Sequence, residues 1–160
     1  MNQQVTALAS DFRPAGNSLV TTSSYRRPRH VRLAALPSAA PWARRILRHM
    51  LREWQLESMS DPALLLVSEL VTNAVKASAS QPGKDQSLPM IGLTLQFTDA
   101  GLRAEVWDAN PAFPVLQQAE LMEPGGLELV LVDALADAWG HRAADGGKVV
   151  WFTIAPHSVT

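Results

Sequence analysis

The chain predicts a one-domain α/β protein in which amphipathic helices cover a sheet that is antiparallel at least in part. Three observations carry this prediction. Apolar residues recur every three to four positions in 43–54 and 65–75. They alternate with period two on both sides of Asp99-Ala100-Gly101. The 160 residues, 47% hydrophobic and 18% charged, hold enough apolar material for one core.

Taken in order, residues 1–24 are rich in Ser, Thr, Gln and Asn without any period, and they read as a mobile tail ahead of a domain over 25–157. Val31, Leu33 and Ala35 alternate in a short strand over 30–36, closed by Pro37. Ser38 then caps a helix running to about Trp54, with Ala43, Ile46, Leu47, Met50 and Leu51 on its inner face. Asp61 as N-cap and Pro62 in the first turn start a second helix, which extends to Ala79. Its apolar face is Leu65, Leu66, Leu70, Val71 and Val75. Residues 78–89 have no period and form a loop.

Next comes a hairpin: Ile91, Leu93, Leu95 and Phe97 run out, and Leu102, Ala104 and Val106 return. A patternless connection over 116–123 leads to Pro124-Gly125-Gly126 and a third helix. Its apolar positions are Leu127, Val130, Leu131, Ala134, Leu135 and Ala138, and Gly140 ends it. Asp145-Gly146-Gly147 turns into a last strand over 148–154.

Composition excludes several classes. With no cysteine, disulfides and thiolate metal sites are impossible and any metal must bind through O or N, which fits a reducing cytoplasm. The start MNQQVTALAS has no basic stretch followed by an apolar core, and no apolar run approaches the ~20 residues that span a bilayer, so a soluble, cytoplasmic protein without membrane contact is expected. A net charge of -1 argues against a generic polyanion binder, although eight of the 14 Lys and Arg residues lie between Arg26 and Arg52. Arg44, Arg45, Arg48 and Arg52 fall opposite the inner face of the first long helix. That is how an ordinary solvated face looks; docking of an acidic partner and nucleic-acid contact are the alternatives.

Three features call for chemistry or for a plain structural role. Glu69 and Asn73 lie four residues apart, hence on one face of an apolar helix, where they either border solvent or need partners. Asp108 stops the alternation of its strand and stands before Asn110 and Pro111, which is a turn signature. Gly125 and Gly126 open a helix, where backbone N–H groups suit a phosphate and where a tight turn also wants glycine.

The order of these pieces carries a resemblance. Ser-Glu-Leu-Val-Thr-Asn-Ala-Val at 68–75 is followed by Val-x-Asp-x-Asn-x-x-x-Pro at 106–114. Then come the run from Gly126 through Leu127 and Val130 to Trp139-Gly140, and Gly-Lys-x-Val-Trp-Phe at 147–152. Together they resemble the GHKL (histidine-kinase-like) ATP-binding family, and more narrowly its single-domain regulatory members similar to anti-sigma-factor serine kinases. The resemblance covers about residues 30–155. It implies an α/β (α+β) two-layer sandwich of the GHKL, or Bergerat, type, with helices on one face of a mixed, mostly antiparallel sheet.

The resemblance also implies ATP and Mg²⁺ as ligands. Asn73 matches the asparagine whose oxygen holds Mg²⁺, and Glu69 the acid that polarises the attacking hydroxyl. Asp108 matches the acceptor for the adenine amine, with Asn110 in the same motif. Gly125, Gly126 and Leu127 fall at the phosphate-binding turn, Lys76 supplies nearby charge, and 116–123 makes a short ATP lid. Lys148 reads as structural. The implied partners are a sigma factor or an anti-sigma antagonist, with a homodimer compatible and no direct nucleic-acid contact.

The chain departs from the family pattern at three places. Pro124-Gly125-Gly126-Leu127 replaces Gly-Arg-Gly-Leu, Ala77 replaces a histidine, and Val149 stands where a threonine often supports the adenine-binding acid. The function implied is an ATP-binding regulator that phosphorylates a serine on an antagonist. The alternative is an inactive module that sequesters a partner.

Overall fold

A computed structural model of the protein describes residues 27–80, 87–113 and 127–156. The segment 1–24, the lid at 116–123 and the Gly125-Gly126 turn lie outside the described residues.

Strand β1 (Arg29–Ala34) ends two residues before the sequence pattern does. Ala35 N–H donates to the Pro89 carbonyl and Leu36 N–H to the Ala34 carbonyl, both at 2.8 Å, so the chain bends ahead of Pro37. Helix α1 (Ala39–Glu53) starts after Ser38 as expected, although the Ser38 hydroxyl makes no capping bond. Its far end closes without glycine. Gln55 takes the left-handed conformation (φ 57), its N–H donates to Arg52 O (3.0 Å), and Leu56 N–H donates to Leu51 O (2.8 Å). This is a Schellman arrangement, with Leu56 packed on the core as its hydrophobic contact.

Helix α2 (Ser60–Ala79) differs from expectation at its start. A 3₁₀ turn, Glu57–Met59, runs directly into it, so Met59 holds the cap position and makes no side-chain cap bond. Asp61 is instead a first-turn acid, where the helix dipole favours it, and the N–H that Pro62 lacks is one the first turn leaves unbonded in any case. The expected loop therefore begins after Ala79. Arg44 joins the two helices by donating to Ser68 Oγ at 3.0 Å.

Strands β2 (Met90–Thr98) and β3 (Gly101–Asp108) form the predicted hairpin. Gly101 sits at φ 112, and a Cβ there would lie 2.2 Å from the Ile154 carbonyl, so only glycine fits. Helix α3 (Leu127–Leu135) precedes β4 (Ala138–Ala144) and β5 (Gly147–Ile154). The sheet order is β1-β2-β3-β5-β4, and all four pairings are antiparallel.

The third helix is where the sequence pattern misleads. Ala138 and Gly140 belong to β4, an edge strand that the sequence reading missed, and the helix ends three residues earlier. Ala136 N–H still bonds Val132 O, but Asp137 N–H already donates to Thr153 O on β5 (both 2.9 Å). The helix is apolar nearly all round, so its period selects no face: Val132 is fully buried while Leu135 is 39% exposed. Gly140 serves packing rather than termination, because a Cβ there would press to 2.9 Å of the Trp151 indole.

Alternation builds the two layers. Ile91, Leu93 and Leu95 of β2, Leu102, Ala104 and Val106 of β3, and Val150, Phe152 and Ile154 of β5 all point inward. They meet Leu66, Val67, Leu70, Val71 and Ala74 of α2, with Leu47 and Leu51 of α1 completing one core. The outer face of the sheet carries Arg103, Glu105 and Trp107 of β3 beside Thr153, Trp151 and Val149 of β5.

Candidate functional site

Helix α2 crosses β3, and the candidate residues gather where its C-terminal half meets the end of that strand. Glu69, Asn73 and Lys76 follow at spacings of four and three, which puts them on one stripe of the helix. Glu69 and Asn73 are half-buried and Lys76 is exposed, so the stripe leads from the edge of the core out to solvent.

Asp108 ends β3 on the inward face, in step with Leu102, Ala104 and Val106, and is 1% exposed. Its Oδ1 accepts two hydrogen bonds at 2.9 Å, one from Asn110 N–H and one from Lys148 Nζ. The first is the Asx turn that the Asp-x-Asn spacing suggested. The second is a buried ion pair, since the Lys148 side chain is 3% exposed. Lys148 Nζ also donates to Asn110 O at 3.0 Å.

Asn110 ties this knot to the helix. Its Nδ2 donates to the Ala77 carbonyl at 3.1 Å, one turn beyond Asn73, and its Oδ1 accepts from Ala112 N–H at 2.9 Å. Asp108 is thus joined through Asn110 to the backbone of α2 at Ala77. Gly147 permits the approach, because a Cβ there would fall 1.9 Å from Asp108 O.

The structure therefore gathers Asp108 and Asn110 with the α2 end bearing Asn73 and Lys76, while Glu69 lies one turn further back. Leu127 is the first residue of α3. Gly125 and Gly126 fall outside the described residues, and so does Pro124.

One reading of the last strand changes and the other, Lys148 as structural, gains its partner. Val149 pairs with Trp107 on the outer face of the sheet, so it cannot support Asp108. Lys148 does so instead, from Asp108's own face. The signal was present in the alternation: Lys148 shares its parity with Val150, Phe152 and Ile154, and a lysine in an inward register needs a buried acid.

The chemistry of this donor set can be stated without a ligand. A buried carboxylate at a strand end is a fixed acceptor for an amine, and a carboxamide oxygen beside a carboxylate on a half-buried helix face suits a hard cation shared with phosphates. Among the described residues no cluster of three His, Cys, Asp or Glu could hold a metal alone. No helix among them is long and apolar enough to cross a membrane.

The family model of the histidine kinase-like ATPase domain matches residues 33–154, from the last two residues of β1 to the end of β5. The chain belongs to that family. No curated protein matches it. Among solved structures, it is similar to the crystal structure of the RsbU and RsbW domains of Rv1364c from Mycobacterium tuberculosis, with a TM-score of 0.53 and 24% identity. That match covers 81% of this chain and 32% of the other, so the likeness concerns the fold of one domain. As a histidine kinase-like ATPase domain, the chain has the helix-covered sheet that the resemblance implied; where that implied a mixed, mostly antiparallel sheet, the five described strands pair antiparallel throughout.

Proposed function

We propose that this histidine kinase-like domain is an adenine-nucleotide-binding regulator of the anti-sigma-factor type, which transfers the γ-phosphoryl group of ATP to a serine on an antagonist protein. The observation carrying the reading is the chain of bonds from Asp108 through Asn110 to the Ala77 carbonyl, one turn beyond Asn73 on α2, within the matched family domain. The residues fit the ligand: Asp108 offers a buried acceptor to the adenine amine, and Asn73 offers an oxygen to Mg²⁺ between protein and phosphates. Bound Mg²⁺–ATP supplies the transferable group and neutralises its charge.

Glu69 takes the proton from the serine hydroxyl as its Oγ bonds to the γ-phosphorus. The bond from that phosphorus to the β–γ bridging oxygen breaks, and ADP leaves. The family resemblance assigns Lys76, Gly125, Gly126 and Leu127 to the phosphates. The arginine face of α1 is the proposed docking surface for an acidic sigma factor or antagonist. Arg45, Arg48 and Arg52 are exposed on it, and Arg45 lies 5.3 Å above the ring of Trp42, itself 52% exposed.

Two departures from the family pattern favour the second reading, a module that sequesters its partner without transfer: Gly125 stands where the phosphate-binding turn carries arginine, and Ala77 where the helix carries histidine. A calorimetric titration with ATP and Mg²⁺, followed by mass spectrometry of the antagonist, separates the two. Transfer by the wild type that falls by about a hundredfold or more in Glu69→Ala, at ATP affinity held within a few-fold, supports the enzyme. Binding of partner with no mass shift supports the module.

A further inference from the structure

We propose that Lys148, paired with Asp108 in the floor of the site, sets its base selectivity by leaving Asp108 able to accept from one exocyclic amine only, which favours adenine over guanine. The proposal rests on the nucleotide reading above.

A free carboxylate has two oxygens and about four acceptor positions. It can take two parallel donors, and the guanine edge offers such a pair in its ring N1–H and its exocyclic amine. The adenine edge instead sets one donor, the exocyclic amine, beside one acceptor, the N1 lone pair. In this protein Oδ1 of Asp108 is filled by Lys148 Nζ and Asn110 N–H, each at 2.9 Å. Among the described residues no group bonds the other oxygen, Oδ2, which lies beside the ammonium group. Acceptor next to cation matches the adenine edge, and the second donor of guanine meets positive charge and no acceptor.

The arrangement is held from several sides. Lys148 is 2% exposed, its Nζ is also bound to Asn110 O at 3.0 Å, and the Asn110 side chain is anchored on Ala77 O of α2. Swinging the ammonium away would leave Asp108 buried without its cation. Selectivity of this origin amounts to roughly ten- to hundredfold, the cost of leaving one buried donor unsatisfied.

The test is a calorimetric comparison of ADP and GDP binding by the wild type, Lys148→Gln and Lys148→Arg, each checked for folding by near-ultraviolet circular dichroism. We expect the wild type to prefer ADP by at least tenfold, Lys148→Gln to lose most of that ratio, and Lys148→Arg to keep it by retaining the cation. A merely structural lysine would lower both affinities together and leave the ratio unmoved. Equal ADP and GDP affinities in the wild type, or an unchanged ratio in a folded Lys148→Gln, overturn the proposal while leaving nucleotide binding intact. A wild type that binds neither nucleotide removes the nucleotide reading itself, and the proposal with it.

Discussion

Two acid–base clusters sit on β3 three residues apart and face opposite ways. Asp108 points inward to Lys148 at 2.9 Å with both side chains almost wholly covered, whereas Glu105 points outward and is shared by Arg103 (2.8 Å) and Arg142 (3.1 Å). The outer cluster is part-exposed, at 18% for Glu105, 32% for Arg103 and 27% for Arg142. It is also stacked, since Arg103 lies 4.2 Å above the Trp151 ring. Water and salt reach the outer charges in part, so each pair contributes less than the inner one. The inner pair has no such refuge, and removing one member leaves the other desolvated. The same chemistry is therefore replaceable on one face of the strand and indispensable on the other.

The sharpest way to break this contrast is Lys148→Met, which should cost about 3–5 kcal/mol in chemical denaturation because it leaves the Asp108 charge buried and alone. A loss below about 1 kcal/mol would place the inner pair with ordinary surface pairs. Asn110→Ala should cost less, about 1–3 kcal/mol, since it strands the Ala77 carbonyl and removes the bond to Ala112 N–H but keeps the ion pair. Denaturation midpoints in urea measure both. Glu105→Gln should cost under about 1 kcal/mol, and raising the salt concentration should shrink the difference further. The same salt titration on the wild type and Lys148→Met should leave their gap almost unchanged. The smallest effect is expected for Arg45→Glu with Arg48→Glu on the exposed face of α1, within about 0.5 kcal/mol of wild-type stability. Its signature is kinetic: association with an acidic partner should slow and lose salt dependence, as surface plasmon resonance would show.

The two ends of the molecule also differ in how openly the sequence declares them. Helices α1 and α2 and the β2–β3 hairpin follow from local periodicity, because a residue's neighbours three, four or two positions away decide which face it shows. That local logic extends to the site: Glu69 and Asn73 share a stripe because of their spacing, and Asp108 closes its strand in the Asx turn that Asp-x-Asn implies. It fails where local patterns are blank or double. The turn after α1 uses Gln55 in a left-handed conformation where a glycine would have announced it. Helix α3 is too uniformly apolar to point anywhere. Strand β4 shows no period in its sequence, since as an edge strand it takes its form from pairing with β5.

Sequence alone thus determined the alternation of the hairpin, the inner face of α1, most of that of α2 (Leu65, expected there, is 40% exposed), and the order of motifs that resembles the family. The parity that turns Asp108 and Lys148 inward is written in it but was not read. Only the tertiary structure decided that those two residues are partners. They lie 40 positions apart, and whether an inward lysine meets an inward acid depends on the register of β3 against β5. Register is a property of two strands and of the core that locks them, and a one-residue slip would send every side chain of β5 to the opposite face.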